Sequence, residues 1–226
     1  MTLIFVDPSV KKYGILLALG FCRDIKIEVR RPDIQLYIRK VSQEIASRFT
    51  TDSLRVYPTV RAYRNIMWRL GLNPTRTLPL NESLVRKVLR RGTLPSVNSV
   101  VDSCNLACIE TLIPLSVFDA ELISYPLTLR RSLNGEEFRY LNTRIKKLSG
   151  REIVLADSAG NLLHLYPCRD SVTAQISENT QEILIVGYGA PEVPNALVIK
   201  AVELAQKYIK RFYPEARCSR VGAVLK

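Results

Sequence analysis

Residues 84–123 read LVRKVLRRGTLPSVNSVVDSCNLACIETLIPLSVFDAELI, and the order of patterns within them decides the fold. Leu84, Val85, Val88 and Leu89 recur at helical spacing and leave Arg86, Lys87, Arg90 and Arg91 outward. Gly92 stops that helix, and Pro95 precedes a second one. In the second helix Asn98, Asp102 and Asn105 fall at i, i+4 and i+7 on one face, while Val97, Val101, Cys104 and Cys108 fall on another. Lysine and glutamate, the usual residues of a solvated face, are absent until Glu110. Short amides and a carboxylate compete with the backbone for hydrogen bonds and are poor helix formers. A stripe of them predicts groups held for a specific partner. From about residue 117 the helical spacing gives way to strand-like segments.

Outward from this stretch the two halves differ. Upstream, residues 33–49 carry Ile34, Tyr37, Ile38, Val41, Ile45 and Phe49 at helical spacing, and VRAYRNIMWRLGL (60–72) is a helix closed by Gly71. Asn81 is the expected N-cap of the helix that Gly92 ends. The segments TLIFVDPSV (2–10) and IKIEVR (25–30) read as strands. Downstream, EFRYL (137–141), EIVLAD (152–157), NLLHLY (161–166) and EILIVGYG (182–189) are strand-like, with a hairpin turn at Ser158-Ala159-Gly160-Asn161. Residues 195–213 form a final helix with the Glu203/Lys207 pair on its polar face. No repeat or low-complexity linker interrupts the chain. Helices first and paired strands later predict an α+β fold.

The 226 residues suit one large domain, or one with a subordinate lobe, and 47% hydrophobic residues suffice for a sizeable core. The net charge, 33 − 21 = +12, attracts a polyanion, and nucleic acid is the first candidate. No run of apolar residues is long enough to span a membrane. Asp7 and Pro8 break the apolar start too soon for a signal peptide. Five cysteines, at 22, 104, 108, 168 and 218, make an odd and scattered set, which predicts reduced thiols in a cytoplasm.

Chemical motifs narrow the function by exclusion. The only histidine is His164, and Cys104 and Cys108 lack a second pair of ligands, so no metal site is predicted and no cofactor implied. His164 reads as a packed or surface residue of its strand, with a general base as the lesser alternative, and the cysteines as small core residues. There is no nucleophile elbow, phosphate loop or dinucleotide fingerprint. Basic residues, by contrast, cluster. Besides helix 82–91, the spacing of Arg61, Arg64 and Trp68 places arginines beside an aromatic, and segment 139–151 adds Arg139, Arg144, Lys146, Lys147 and Arg151. Such surfaces suit phosphate contact plus base stacking.

The run from Leu84 to Ile123 resembles the editing (B3/B4) domain within the β subunit of bacterial phenylalanyl-tRNA synthetase, and still more the free-standing proteins built from that domain alone. The later blocks follow in the same order: LRRSLNGEEFRYLN (129–142), GREIVLADSAGNLLHLYPCRDS (150–171) and ISENTQEILIV (176–186). The likeness covers roughly residues 60–190, flanked by a less recognisable part, 1–59, and a C-terminal helix and tail, 191–226. It implies one three-layer domain over residues 1–226, with helices packed on a mostly antiparallel or mixed sheet and a pocket between them. That pocket would receive the 3′ end of mischarged tRNA and hydrolyse its ester.

On that resemblance Asn105 falls on the asparagine that contacts the aminoacyl group, with Asn98, Asp102 and Ser116 completing the substrate site. Asp170 is the expected group that orients or deprotonates water, and Arg169 would meet the terminal phosphate. Arg61, Arg64, Arg86, Arg90 and Arg91 would carry the RNA. Ser116 stands where the synthetase domain has a histidine, and Val186 or Gly187 where it has a substrate-reading glutamate. Cys168, Arg169 and Asp170 replace a glycine-rich segment. The implied activity is deacylation of aminoacyl-tRNA in trans. The alternative is a non-catalytic RNA-binding or amino-acid-sensing module of the same fold.

Overall fold

The computed structural model describes residues 3–28 and 31–224. Its first half holds β1 (Ile4–Val6), α1 (Pro8–Lys11), β2 (Leu17–Arg23), α2 (Pro32–Arg48), α3 (Thr51–Val56), α4 (Pro58–Arg69), α5 (Leu80–Arg91) and α6 (Ser99–Thr111). Strands then dominate: β3 (Leu115–Asp119), β4 (Leu127–Arg131), β5 (Asn134–Arg139), β6 (Ile145–Ser149), β7 (Ile153–Ala156), β8 (Leu162–Tyr166), β9 (Arg169–Asp170) and β10 (Ile183–Tyr188). The chain closes with α7 (Asn195–Phe212), β11 (Arg217–Cys218) and β12 (Gly222–Val224). The fold is α+β. One sheet runs β1-β4-β7-β8-β9, parallel only between β1 and β4. A second, antiparallel sheet runs β11-β2-β10-β3, with β12 also on β2. β5 and β6 form a separate hairpin.

The helical spacings hold in α2, α4, α5, α6 and α7, and Gly92 ends α5 in the left-handed conformation with φ 75°. The turn at 157–161 is closed by Asp157, whose carboxylate accepts from the Asn161 amide at 2.8 Å. Other expectations are corrected. Asn81 is not an N-cap: α5 begins one residue earlier behind Pro79, and the buried Asn81 side chain donates to the Leu112 carbonyl at 2.6 Å. Short α3 follows a capping box between Thr50 and Ser53.

No strand forms at 25–28, and Val29 and Arg30 lie outside the described residues. The strand of this region is β2, whose LALGFC run is almost continuously apolar. It lies between β10 on one edge and β11 and β12 on the other, with α7 packed on it. Burial on both faces erases the alternation that marks a strand in sequence. Gly20 of β2 and Gly187 of β10 permit the approach of α7: a Cβ on either would come within 2.8 Å of Val202.

The cysteines also differ from expectation. Cys22 and Cys218 form a disulfide between facing residues of β2 and β11, while Cys104, Cys108 and Cys168 remain as buried thiols. A separation of 196 residues hid the pair from any local spacing rule.

The β5–β6 hairpin hangs on Glu152. Its carboxylate accepts from the Ser149 amide and hydroxyl, both at 2.9 Å, and from Lys146 Nζ at 3.1 Å. Burial opposes its charge, but these donors outweigh burial and hold its pKa at about 2, against 4.5 for a free glutamate. A depressed carboxylate contributes stability that is full above the unfolded pKa and is lost as pH falls through the folded one. Lowering pH from 4.5 towards 2 should therefore loosen this hairpin, read as a falling protection factor (exchange relative to the unstructured rate at the same pH) for the Leu148 amide. In Glu152→Gln the exchange should already be fast at neutral pH.

Candidate functional site

Three elements converge where the two large sheets meet. β3 is the edge of the second sheet, β9 is the edge of the first, and α6 packs across β3. Between them lies a cavity of about 710 Å³, lined on one side by Val101, Cys104 and Asn105 of α6 and on another by Arg169 and Asp170 of β9. Its floor is apolar, from Leu115, Val117 and Phe118. Its mouth is cationic, from Arg76, Lys87, Arg144 and Arg169. Asn105 and Asp170 thus meet in one cavity, from a helix and a strand 65 positions apart.

The polar stripe of α6 divides into three roles. Asn98 is the N-cap of α6, its side chain accepting from the Val101 amide at 2.9 Å while still lining the cavity. Asp102 is buried and turned back to the preceding loop, accepting from the Val97 amide at 2.9 Å and the Ser96 hydroxyl at 2.6 Å. Burial raises its pKa against the pull of those two bonds. It is not among the residues that line the cavity, and its acceptor oxygens are engaged by the loop. Asn105 alone has no side-chain hydrogen bond among the described residues, and it is half-buried at the cavity wall. It is the member of the stripe that is free for a ligand.

Ser116 also has partners within the protein. It is buried in β3, outside the cavity lining, and its hydroxyl donates to Asp170 Oδ1 at 2.5 Å. His164, fully buried in β8, brings Nδ1 to 2.7 Å from the same oxygen and 3.1 Å from Ser116 Oγ. The β8–β9 ladder sets this contact, because His164 and Asp170 are facing residues across it. The His164 ring stacks on Tyr188 of β10, with centroids 4.1 Å apart and planes 14° apart. The place that the resemblance assigns to a synthetase histidine is Ser116. Here the imidazole beside it comes from β8. The sequence signal for this pairing was weak: one histidine six residues before Asp170, with Tyr166-Pro167-Cys168 as the reversal between them.

The thiols are poor nucleophiles. Burial, then the charge of Asp170, pushes the Cys104 thiol far up, and burial pushes Cys168 up to about 12. Both stay protonated at neutral pH, and a thiol is a far weaker nucleophile than its thiolate. Val186 lies opposite Ser116 across the β3–β10 ladder and shares the face of Tyr188 by strand alternation. Gly187 faces α7.

The basic residues sort by partner. Arg64 is buried, not displayed: its guanidinium meets the fully buried Glu82 carboxylate at 2.9 Å. Arg86 reaches the same carboxylate at 2.8 Å and is only half-exposed. A buried carboxylate needs paired donors, which explains why Arg64 leaves the face that its spacing assigned. Arg61, Arg90 and Arg91 are exposed, as is Trp68 on the face of Arg61. Arg169 is exposed at the cavity mouth, over the Tyr140 ring. Burial lowers the pKa of Lys87, helped by Arg169, Arg91 and Arg90, and a bound anion would relieve that crowding.

The chain is similar to parts of known proteins. The phenylalanine–tRNA ligase beta subunit of Neisseria meningitidis serogroup B is 32% identical over 110 residues, 48% of this chain and 14% of that protein. The same subunit of Haemophilus ducreyi is 26% identical over 186 residues, 80% of this chain and 22% of that protein. The chain therefore spans about a fifth or less of these relatives. The crystal structure of an N-terminal fragment of the phenylalanyl-tRNA synthetase beta subunit from Pyrococcus horikoshii superposes with a TM-score of 0.49 at 14% identity, covering 96% of this chain and 50% of that one. The model of the B3/4 domain matches residues 62–219, from within α4 to just past β11, and so the chain belongs to the B3/4 domain family.

Proposed function

We propose that the cavity takes the aminoacylated 3′ end of tRNA and hydrolyses its ester in trans. The observation that carries this reading is the meeting of Asp170 and the unpaired Asn105 in one cavity with a cationic mouth. Ester hydrolysis needs no protein nucleophile when a water is held beside the carbonyl and the developing oxyanion is stabilised. In this reading Asp170 accepts the proton of the attacking water. Asn105 and the rim residue Asn98 fix the aminoacyl group. The apolar floor receives the amino-acid side chain, and Arg169 with Lys87 meets the terminal phosphates. Further along the RNA, Arg61, Arg90 and Arg91 contact the backbone, with Arg86 in a smaller part because Glu82 holds it. The reading treats residues 1–226 as one unit and sets it in the cytoplasm. Among the described residues, no helix is long and apolar enough to cross a membrane.

The test separates binding from chemistry. A minihelix RNA carrying an amide-linked amino acid at its 3′ end cannot be hydrolysed, so its affinity reports the cavity alone. Asn105→Ala should weaken that RNA by about tenfold, the order of one missing hydrogen bond to a ligand, and leave the unacylated RNA unaffected. Equal affinity of acylated and unacylated RNA for the wild type would refute the proposal. A non-catalytic module is favoured by one observation: Val186 and Gly187, either of which stands where the resemblance implies a substrate-reading glutamate, are buried and carry no polar side chain. It predicts the same binding result with no hydrolysis.

The electrostatic half has its own expected outcome. Arg90→Ala with Arg91→Ala should weaken tRNA binding across all sequences and reduce the salt slope by about one for each phosphate that is no longer neutralised. The fold should hold, because exposed arginines away from buried partners contribute about 0.5 kcal/mol or less. Affinity titrations at several salt concentrations check both statements. Arg64→Ala is the wrong probe, since it would leave Glu82 buried with half its partners.

A further inference from the structure

We infer that His164 selects which oxygen of Asp170 faces the substrate, and so is a positioning residue for the reaction proposed above, on which this inference rests. Two donors converge on Oδ1, the His164 ring at 2.7 Å and the Ser116 hydroxyl at 2.5 Å. Oδ2 takes no hydrogen bond among the described residues, and Asp170 lines the cavity with its side chain 26% exposed. An ionised carboxylate only accepts, so the short approach of the ring requires the proton to sit on Nδ1. The ring is held in its plane by the stack on Tyr188, and its Nε2 is buried with no partner among the described residues. A lone pair at Nε2 leaves no donor stranded. The reverse arrangement, with Asp170 protonated and donating to Nδ1, would place an N–H at Nε2 with nothing to accept it. It would also take away the base.

The consequence is geometric. With Oδ1 saturated by two buried donors, Oδ2 is the single acceptor that Asp170 can offer a water in the cavity. This is not a serine–histidine–aspartate relay. All three side chains meet at Nδ1 and Oδ1, no group bridges Nε2 to a nucleophile, and Ser116 is buried away from the cavity. His164 touches no substrate and acts only through Asp170.

Histidine occurs once in the chain, so nitrogen-15 histidine labelling of the untagged protein yields a single imidazole to assign. At neutral pH the expected spectrum shows a protonated Nδ1, and its resonance should move in Asp170→Ala. A bare Nδ1 with the proton on Nε2 overturns the inference whether or not any ester is hydrolysed. The kinetic arm uses two variants. His164→Phe keeps the stack and removes the donor, and it should lower kcat by about tenfold with KM for aminoacyl-tRNA unchanged, as for a misplaced catalytic group. His164→Asn carries an amide N–H near the position of Nδ1 and should recover part of that loss. A His164→Phe protein as fast as wild type overturns the positioning role. If His164→Phe does not fold, Ser116→Ala, which removes the second donor, takes its place with the same expectation. A protonated Nδ1 in a wild-type protein that hydrolyses nothing refutes the deacylase reading, and the positioning role with it, while leaving the hydrogen bond itself established.

Discussion

Asp170→Asn is expected to slow ester hydrolysis by roughly a hundredfold, the order of a missing general base, which corresponds to about 2.7 kcal/mol in the barrier. The substitution keeps the shape of the side chain and its place opposite His164 in the β8–β9 ladder. What it removes is the charge and the proton-accepting oxygen that faces the cavity. Binding of tRNA should hold nearly unchanged, because the cationic mouth and Asn105 are untouched. Single-turnover hydrolysis beside equilibrium binding measures both. A loss of affinity equal to the loss of rate would instead assign Asp170 to substrate binding.

The second large effect is on stability. Glu82→Gln should destabilise the protein by about 3–5 kcal/mol, the usual cost of breaking a buried ion pair and leaving a charge behind. Glu82 is fully buried and is the shared partner of Arg64 and Arg86, so its carboxylate ties α4 to α5. Glutamine would leave the buried Arg64 guanidinium without a counter-charge, sharing a single amide oxygen with Arg86 beside its 3.4 Å hydrogen bond to the Pro74 carbonyl. Lys87 and Ser83 of the same helix line the cavity, so the RNA mouth should loosen with it. Denaturant midpoints measure the effect. A shift corresponding to less than about 1 kcal/mol, the worth of an exposed pair, would contradict this assignment.

What was legible in the sequence follows from physics that acts locally. The periodicities of α2, α4, α5 and α7 survive because each helix buries one broad face, while α6 is buried on nearly all sides; the turn at 157–161 survives because Asp157 and Gly160 act within a few residues. The stripe of Asn98, Asp102 and Asn105 was visible, but its division was not. Spacing shows a shared face. It does not show that α6 begins at Ser99, which turns Asn98 into a cap and Asp102 into a brace for the loop. Arg64 misled for a related reason: a buried residue on the neighbouring helix, Glu82, decides where it points. β2 was passed over because two-sided burial removes alternation, and the Cys22–Cys218 link because 196 residues separate its ends. The pair of Asn105 and Asp170 came from the family resemblance, and His164 from neither spacing nor resemblance. Its role became visible only when β8 and β9 were paired.

The central claim is that this cavity performs chemistry on an aminoacyl ester. The most direct measurement is the rate of amino-acid release from a panel of mischarged tRNAs mixed with an excess of purified protein, against the protein-free rate. Faster release is expected for at least one amino acid, lost in Asp170→Asn and restored by no added metal. Release at the protein-free rate for every tRNA in the panel, by a protein that still binds the amide-linked analogue, would contradict it and leave a binding module.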